Sequence, residues 1–183
     1  MKKCKYTKQV QLAIILCFFV IFVFFVSKGN PPNSPESILT QEQKTPKVLS
    51  YLHGNNTFRL MYEGNMKFSN LFQREGAQET ETVIFSSPEK NKGFQIFIAE
   101  YENTAPLTIE TIALQNKNLD IFDPGAIDVN GEQGVVFLSA EKGTPTNTRE
   151  IWFTHQGKIY QVSTYPDYGE KVMEMLTSWV WLE

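Results

Sequence analysis

The sequence predicts an α+β domain, an antiparallel sheet flanked by helices, carried behind one N-terminal transmembrane helix. Three observations predict this. Leu12 to Val26 is an unbroken run of fifteen apolar residues, LAIILCFFVIFVFFV. Two pairs of strand-like segments meet at the dipeptides Asn130-Gly131 and Gln156-Gly157, tight turns that join antiparallel neighbours. Two stretches with helical apolar spacing lie between and after the strand groups, the segregated order of an α+β domain.

The N-terminus sets the address. Residues 1–9 form a basic segment and 10–26 the span. At 1.5 Å per residue the span covers about 25 Å, against a hydrocarbon core of about 30 Å. Lys2, Lys3, Lys5 and Lys8 precede it and only Lys28 follows closely. By the positive-inside rule the N-terminus is cytoplasmic and the C-terminal domain lies outside the membrane. The competing reading is a cleaved signal peptide. Bulky Phe, Ile and Val in the run, and no small-x-small site after Val26, favour the anchor. A lipoprotein is disfavoured because Ile15 and Leu16 precede Cys17 where small residues would be needed, so Cys17 reads as an apolar filler. Cys4, beside lysines, is either acylated or a reduced thiol. Residues 27–48, with four prolines and no aromatic residue, read as a linker.

Residues 49–183 form the exported domain. Both cysteines precede it, so it has no internal disulfide and must hold together through its core. Its length is that of one ordinary domain. It carries 18 acidic and 10 basic side chains, net −8, whereas residues 1–28 carry five lysines and no acid. An acidic domain is a poor partner for nucleic acid, whose binding depends on neutralising phosphates. It is equally unsuited to lying on an anionic bilayer.

The elements follow in order. Thr57–Tyr62 alternates Phe58, Leu60 and Tyr62, the period of a strand. Met66–Phe72 reads as a turn with some strand. Thr82–Ser86 and Gly93–Tyr101 form a strand pair around Ser87–Asn91. Thr108 is the expected N-cap of a helix whose stripe is Ile109, Ile112, Ala113 and Leu119, with Pro124-Gly125 as its stop. One hairpin joins Ala126–Val129 to Gln133–Ala140, and a second joins Arg149–His155 to Lys158–Tyr165. Tyr168–Trp181 closes the chain as an amphipathic helix carrying Val172, Met175, Leu176, Trp179 and Val180 on one stripe.

Three segments carry a family resemblance: FRLMYEGNMKF (Phe58–Phe68), AIDVNGEQGVVF (Ala126–Phe137) and KIYQVSTYPDYGEKVMEMLTSWVW (Lys158–Trp181). They resemble the opening strand, the first late hairpin, and the last strand with closing helix of the PsbP-like family, named for an extrinsic subunit of photosystem II. Glu63 stands where that family usually has proline, and Met66 where it often has tryptophan. The resemblance implies an antiparallel sheet flanked by helices and a non-catalytic binding or assembly role. It transfers no functional residue.

The residues themselves offer little chemistry. His53 and His155 are the two histidines, and neither sits in an H-x-x-x-H or HExxH pair. His155 at a hairpin tip reads as solvated. No G-x-S-x-G elbow or phosphate loop occurs, and Ser86-Ser87-Pro88 reads as a turn. Asp120, Asp123, Asp128, Asn130 and Glu132 are dense in oxygen, but their spacing departs from a calcium loop and fits a helix stop followed by a hairpin. Glu100 and Glu102, on one strand face, read as a solvated rim. Asn55-Asn56-Thr57 is a glycosylation sequon, relevant only on a eukaryotic secretory route. Trp152, Tyr160 and Trp181 fit packing better than a binding face. No catalytic, metal or cofactor site is expected. The expected partners are the membrane, through one span, and other envelope proteins; no oligomeric state is specified. The alternatives to an interaction module are an exported hydrolase-like enzyme and a small-ligand or lipid carrier.

Overall fold

Tight hairpins organise the chain from Lys47 onward. The computed structural model describes residues 47–182 apart from 77, 103–105 and 145–146. The expected anchor at 10–26, with Cys4, Cys17 and the linker up to residue 46, lies outside the described residues. Among the described residues no helix is long and apolar enough to cross a membrane.

The elements run β1 (Val48–Leu52), β2 (Phe58–Glu63), β3 (Lys67–Glu75), β4 (Gln78–Ser86), β5 (Gly93–Glu100), α1 (Ile109–Gln115), β6 (Leu119–Val129), β7 (Glu132–Glu141), β8 (Asn147–His155), β9 (Lys158–Thr164), a 3-10 turn (Pro166–Tyr168), α2 (Gly169–Leu176) and β10 (Val180–Trp181). They form a seven-stranded sheet, ordered β3-β4-β5-β9-β8-β7-β6, and a three-stranded sheet, β1-β2-β10. The pairings are antiparallel throughout. The domain is therefore α+β, built from antiparallel sheets and two helices.

The hairpins close where their turn residues require. Asn130 (φ 50°) and Gly131 (φ 89°) join β6 to β7, and Gln156 (φ 46°) and Gly157 (φ 75°) join β8 to β9. Positive φ at both central positions matches the right-handed twist of the flanking strands. The expected pair around Ser87–Asn91 is β4 and β5, in the register Ser86↔Gly93. Helix α1 begins at Thr108 in a reciprocal cap. The Thr108 hydroxyl accepts from the Thr111 N–H, and the Thr111 hydroxyl accepts from the Thr108 N–H.

Several elements differ from expectation. β1 carries no strand reading in the sequence, and of Met66–Phe72 all but Met66 belongs to the nine-residue β3. Helix α1 stops at Gln115, because Asn116 caps it by donating from its side chain to the Ile112 carbonyl. Leu119 belongs to β6, and Pro124-Gly125 is no helix stop. It sits at an irregularity in the β6–β7 register between Phe122 and Gly125. Proline lacks an N–H, so it is tolerated on an edge strand at such an interruption. The closing helix is also shorter than its apolar stripe suggests. It ends at Leu176, where the Thr177 and Ser178 hydroxyls bond the carbonyls of Glu174 and Met175. Val180 and Trp181 then pair with Arg59 and Phe58 of β2.

Two apolar clusters lie on opposite faces of the larger sheet, as strand alternation demands. Ile151, Phe153, Tyr160 and Val162 face the three-stranded sheet and α2, whereas Trp152 and Ile159 face α1 and its buried Ile112. Between the sheets Trp179 stacks on Phe58 at 4.0 Å and meets Phe153 and Tyr160 edge-on at 5.3 and 5.8 Å. Trp179→Ala should therefore cost about 3–5 kcal/mol, measured as a lowered urea midpoint. A loss below 1 kcal/mol would contradict this packing.

Candidate functional site

Strand alternation also buries polar groups, one cluster on each face of the seven-stranded sheet. In β4, Glu81 lies on the same face as Val83 and Phe85. The β1–β2 connection, His53–Thr57, folds over it. His53 is 3% exposed, and its ring stacks on Phe58 at 4.7 Å. The ring Nε2 lies 2.7 Å from Glu81 Oε2, and Nδ1 lies 2.7 Å from Thr57 Oγ1. With Nε2–H donating to the carboxylate, Nδ1 accepts from the Thr57 hydroxyl. Thr57 also shares a hydrogen bond with Tyr160. On the other carboxylate oxygen Asn70 donates at 2.8 Å, and the same amide donates to the Tyr51 hydroxyl at 3.1 Å. Burial is the main cause that raises both phenols above their usual range, Tyr160 to about 12. Four side chains, Thr57, Tyr160, Asn70 and Tyr51, thus extend the hydrogen bonding of a buried imidazole and carboxylate, which is the condition for burying such a pair at tolerable cost.

The second cluster centres on Glu150 of β8, which is 0% exposed. Its carboxyl accepts from the Ser163 hydroxyl at 2.6 Å, the Thr148 hydroxyl at 2.7 Å and the Trp152 indole N–H at 3.1 Å. A weaker contact comes from Ser139 at 3.4 Å. Burial raises the Glu150 carboxyl, and these four donors only partly oppose it. This carboxyl was missed by sequence reasoning. Glu150 and Trp152 share a face in REIWF, and an acid in register with a buried aromatic was the available signal. For Glu81 the same signal lay in ETVIF, where the acid falls in register with Val83 and Phe85.

The residues singled out in the sequence fall at scattered places. His155 is paired rather than simply solvated. Its Nδ1 lies 2.7 Å from Glu132 Oε1, and its ring stacks on Trp181 at 3.7 Å. Asp128 binds within its own turn, accepting from the Gly131 N–H and the Gln133 amide. Asp120 and Asp123 lie along β6, and among the described residues no group of three His, Cys, Asp or Glu is placed to hold a metal ion. Glu100 ends β5, and the exposed Glu102 lies beyond the strand. Ser86 ends β4, and its hydroxyl bonds the Lys67 carbonyl. Asn55 and Asn56 are exposed in the β1–β2 connection. Trp152 and Tyr160 are buried on opposite faces, so they share no binding surface.

A third feature is a surface. Among the described residues β3 is an edge strand, bonded only to β4, and every residue of it except Asn70 is exposed. Phe68, Leu71 and Phe72 are 52%, 44% and 63% exposed on it. A sheet edge of nine residues, with unpaired backbone groups and large apolar side chains, is a template for another strand.

No family model matches the chain, and no curated protein matches it. Among solved structures it is similar to the solution structure of cyanobacterial PsbP (CyanoP) from Synechocystis sp. PCC 6803. The identity is 13%, the match covers 83% of this chain and 99% of that one, and the TM-score is 0.47.

A pH dependence follows from Glu150. Its carboxyl is raised in the fold, so the native chain holds a proton that the unfolded chain releases above the ordinary range of about 4.3. The associated stability is complete below that range and is lost as pH rises through the raised value. Glu150→Gln, which cannot ionise, should lack this loss. Its urea midpoint relative to wild type should climb between pH 5 and pH 8. A difference that is flat across that window would mean that Glu150 is ionised in the native state.

Proposed function

We propose that the chain is a single-pass membrane protein whose extracytoplasmic α+β domain is a non-catalytic interaction module. The observation that carries this is the free β3 edge with its three exposed apolar side chains. The apolar run and its lysine flank supply the membrane part of the proposal. The same proposal reads the domain as PsbP-like on the three segments that resemble that family, which fall on β2–β3, β6–β7 and β9–β10. The aromatic filling between the sheets argues against a carrier with a ligand chamber in that space.

A photo-crosslinking side chain at Phe72 of the full chain in its native membrane tests the module. A discrete adduct is expected there, and none from Leu114, which is 71% exposed on α1. Equal yields from both positions, or none, would count against it. Protease added outside the membrane should digest the domain; complete protection after any outer barrier is permeabilised would overturn the topology.

A second reading is favoured by one observation, the hydroxyl–imidazole–carboxylate relay of Thr57, His53 and Glu81. That order of groups is the general-base arrangement of a hydrolase. If it is catalytic, the full chain hydrolyses activated esters and His53→Gln lowers the rate at least about 100-fold. Identical rates for the two proteins would leave the network a structural role alone.

A further inference from the structure

The charge order along β3 is self-complementary. Its sequence is KFSNLFQRE, with Lys67 at one end, Glu75 at the other and Leu71 at the midpoint. Arg74 faces Glu79 across the β3–β4 hairpin in register. Even so, Lys67, Arg74 and Glu75 form no ion pair among the described residues. The strand therefore carries exposed charges that its own sheet leaves unused.

An antiparallel pairing of β3 with β3 of a second copy, centred on a two-fold axis at Leu71, uses them. Lys67 then lies opposite Glu75 of the second copy, and Glu75 opposite its Lys67. Phe68 faces Arg74, a cation–π pairing, and Ser69 faces Gln73. Leu71 meets Leu71 on one face of the ribbon. On the other face Phe72 lies opposite Asn70, with the two Phe72 rings on the diagonal, within reach of aromatic side chains. Side-chain parity is preserved, because even-numbered residues meet even-numbered ones across the axis. The interface is isologous, so it closes with two copies and does not propagate. Joining the free edges of two seven-stranded sheets also removes backbone groups from water along about 30 Å of strand.

We propose that β3 is a homodimerisation edge, pairing with its own counterpart in the register Lys67↔Glu75. This rests on the interaction-module reading and names the partner as a second copy of this chain. The register separates it from nonspecific edge association, for which the order of charges would not matter.

The test uses the full chain in detergent micelles, by sedimentation equilibrium under density-matched conditions. Wild type should dimerise. Lys67→Glu and Glu75→Lys should each weaken the dimer about tenfold, because each places like charges together twice. The double variant Lys67→Glu/Glu75→Lys should recover to within about threefold of wild type, because the pairing is restored with reversed sign. A second measurement reads the register directly. With Cys4 and Cys17 replaced by serine, chains carrying Ser69→Cys and chains carrying Gln73→Cys should form a disulfide-linked dimer when mixed, and not separately. Efficient cross-linking of either chain alone, or a double variant as weak as the single ones, would overturn the register. A monomeric wild type that still gives a Phe72 adduct with a different polypeptide would overturn the second copy and leave the interaction module standing. A monomer with no adduct would remove both.

Discussion

Trp179 lies between the two sheets with its ring on Phe58, and the packing of the three-stranded sheet on the larger one is built around that contact. The indole ends the chain's excursion out of α2. The next two residues must then run alongside β2, and they pair with Arg59 and Phe58. The Leu182 N–H reaches the Thr57 carbonyl, so the C-terminal segment also clasps the β1–β2 connection. Ser178 adds a bridge, because its hydroxyl takes the Met61 N–H while bonding the end of α2. The three-stranded sheet is thus completed by a two-residue strand that propensity alone would not support. Burial of large aromatic surface holds it in place.

That closure positions the polar cluster. His53 and Thr57 flank a short connection whose backbone is pinned by the His53 N–H to Phe58 carbonyl bond and the Asn56 N–H to His53 carbonyl bond. The connection delivers an imidazole to a carboxylate 28 residues further along the chain. Glu150 shows the alternative way to bury an acid. Among the described residues it has no ion pair; hydroxyls and an indole N–H surround it, and burial shifts the balance toward the protonated form. The two acids sit on opposite faces of one sheet, and each is met by a different set of hydrogen-bonding partners.

The long edge β3 stands apart from these interior constraints. Among the described residues the second layer meets it through Tyr51 and Tyr62, whose rings lie 5.0 and 6.3 Å from Phe68, and the Tyr51 hydroxyl meets Asn70. One face of the strand is thereby anchored, while among the described residues its outer hydrogen-bonding edge has no partner strand. Rigid backing and a free edge together are what strand addition needs.

Local chemistry was legible in the sequence. The turn dipeptides at 130–131 and 156–157, the Thr108 cap, and the alternation of Phe58, Leu60 and Tyr62 each depend on residues within one or two turns of chain. Their outcome is set before distant parts meet. Non-local contacts decided the rest. The apolar stripe of Tyr168–Trp181 has one helical period, yet Trp179 leaves the helix because a site between the sheets offers its ring more burial than another turn would. Pro124-Gly125 reads locally as a stop, and it becomes an interruption of β6 because β7 supplies a partner on both sides of it. Spacing along the strands puts Glu81 and Glu150 on apolar faces, but it does not name their distant partners, His53 and Asn70 for the first and Ser139 and Ser163 for the second. A hydrogen bond between residues far apart in sequence exists only once the sheets bring them within 3 Å, and that distance is a property of the fold.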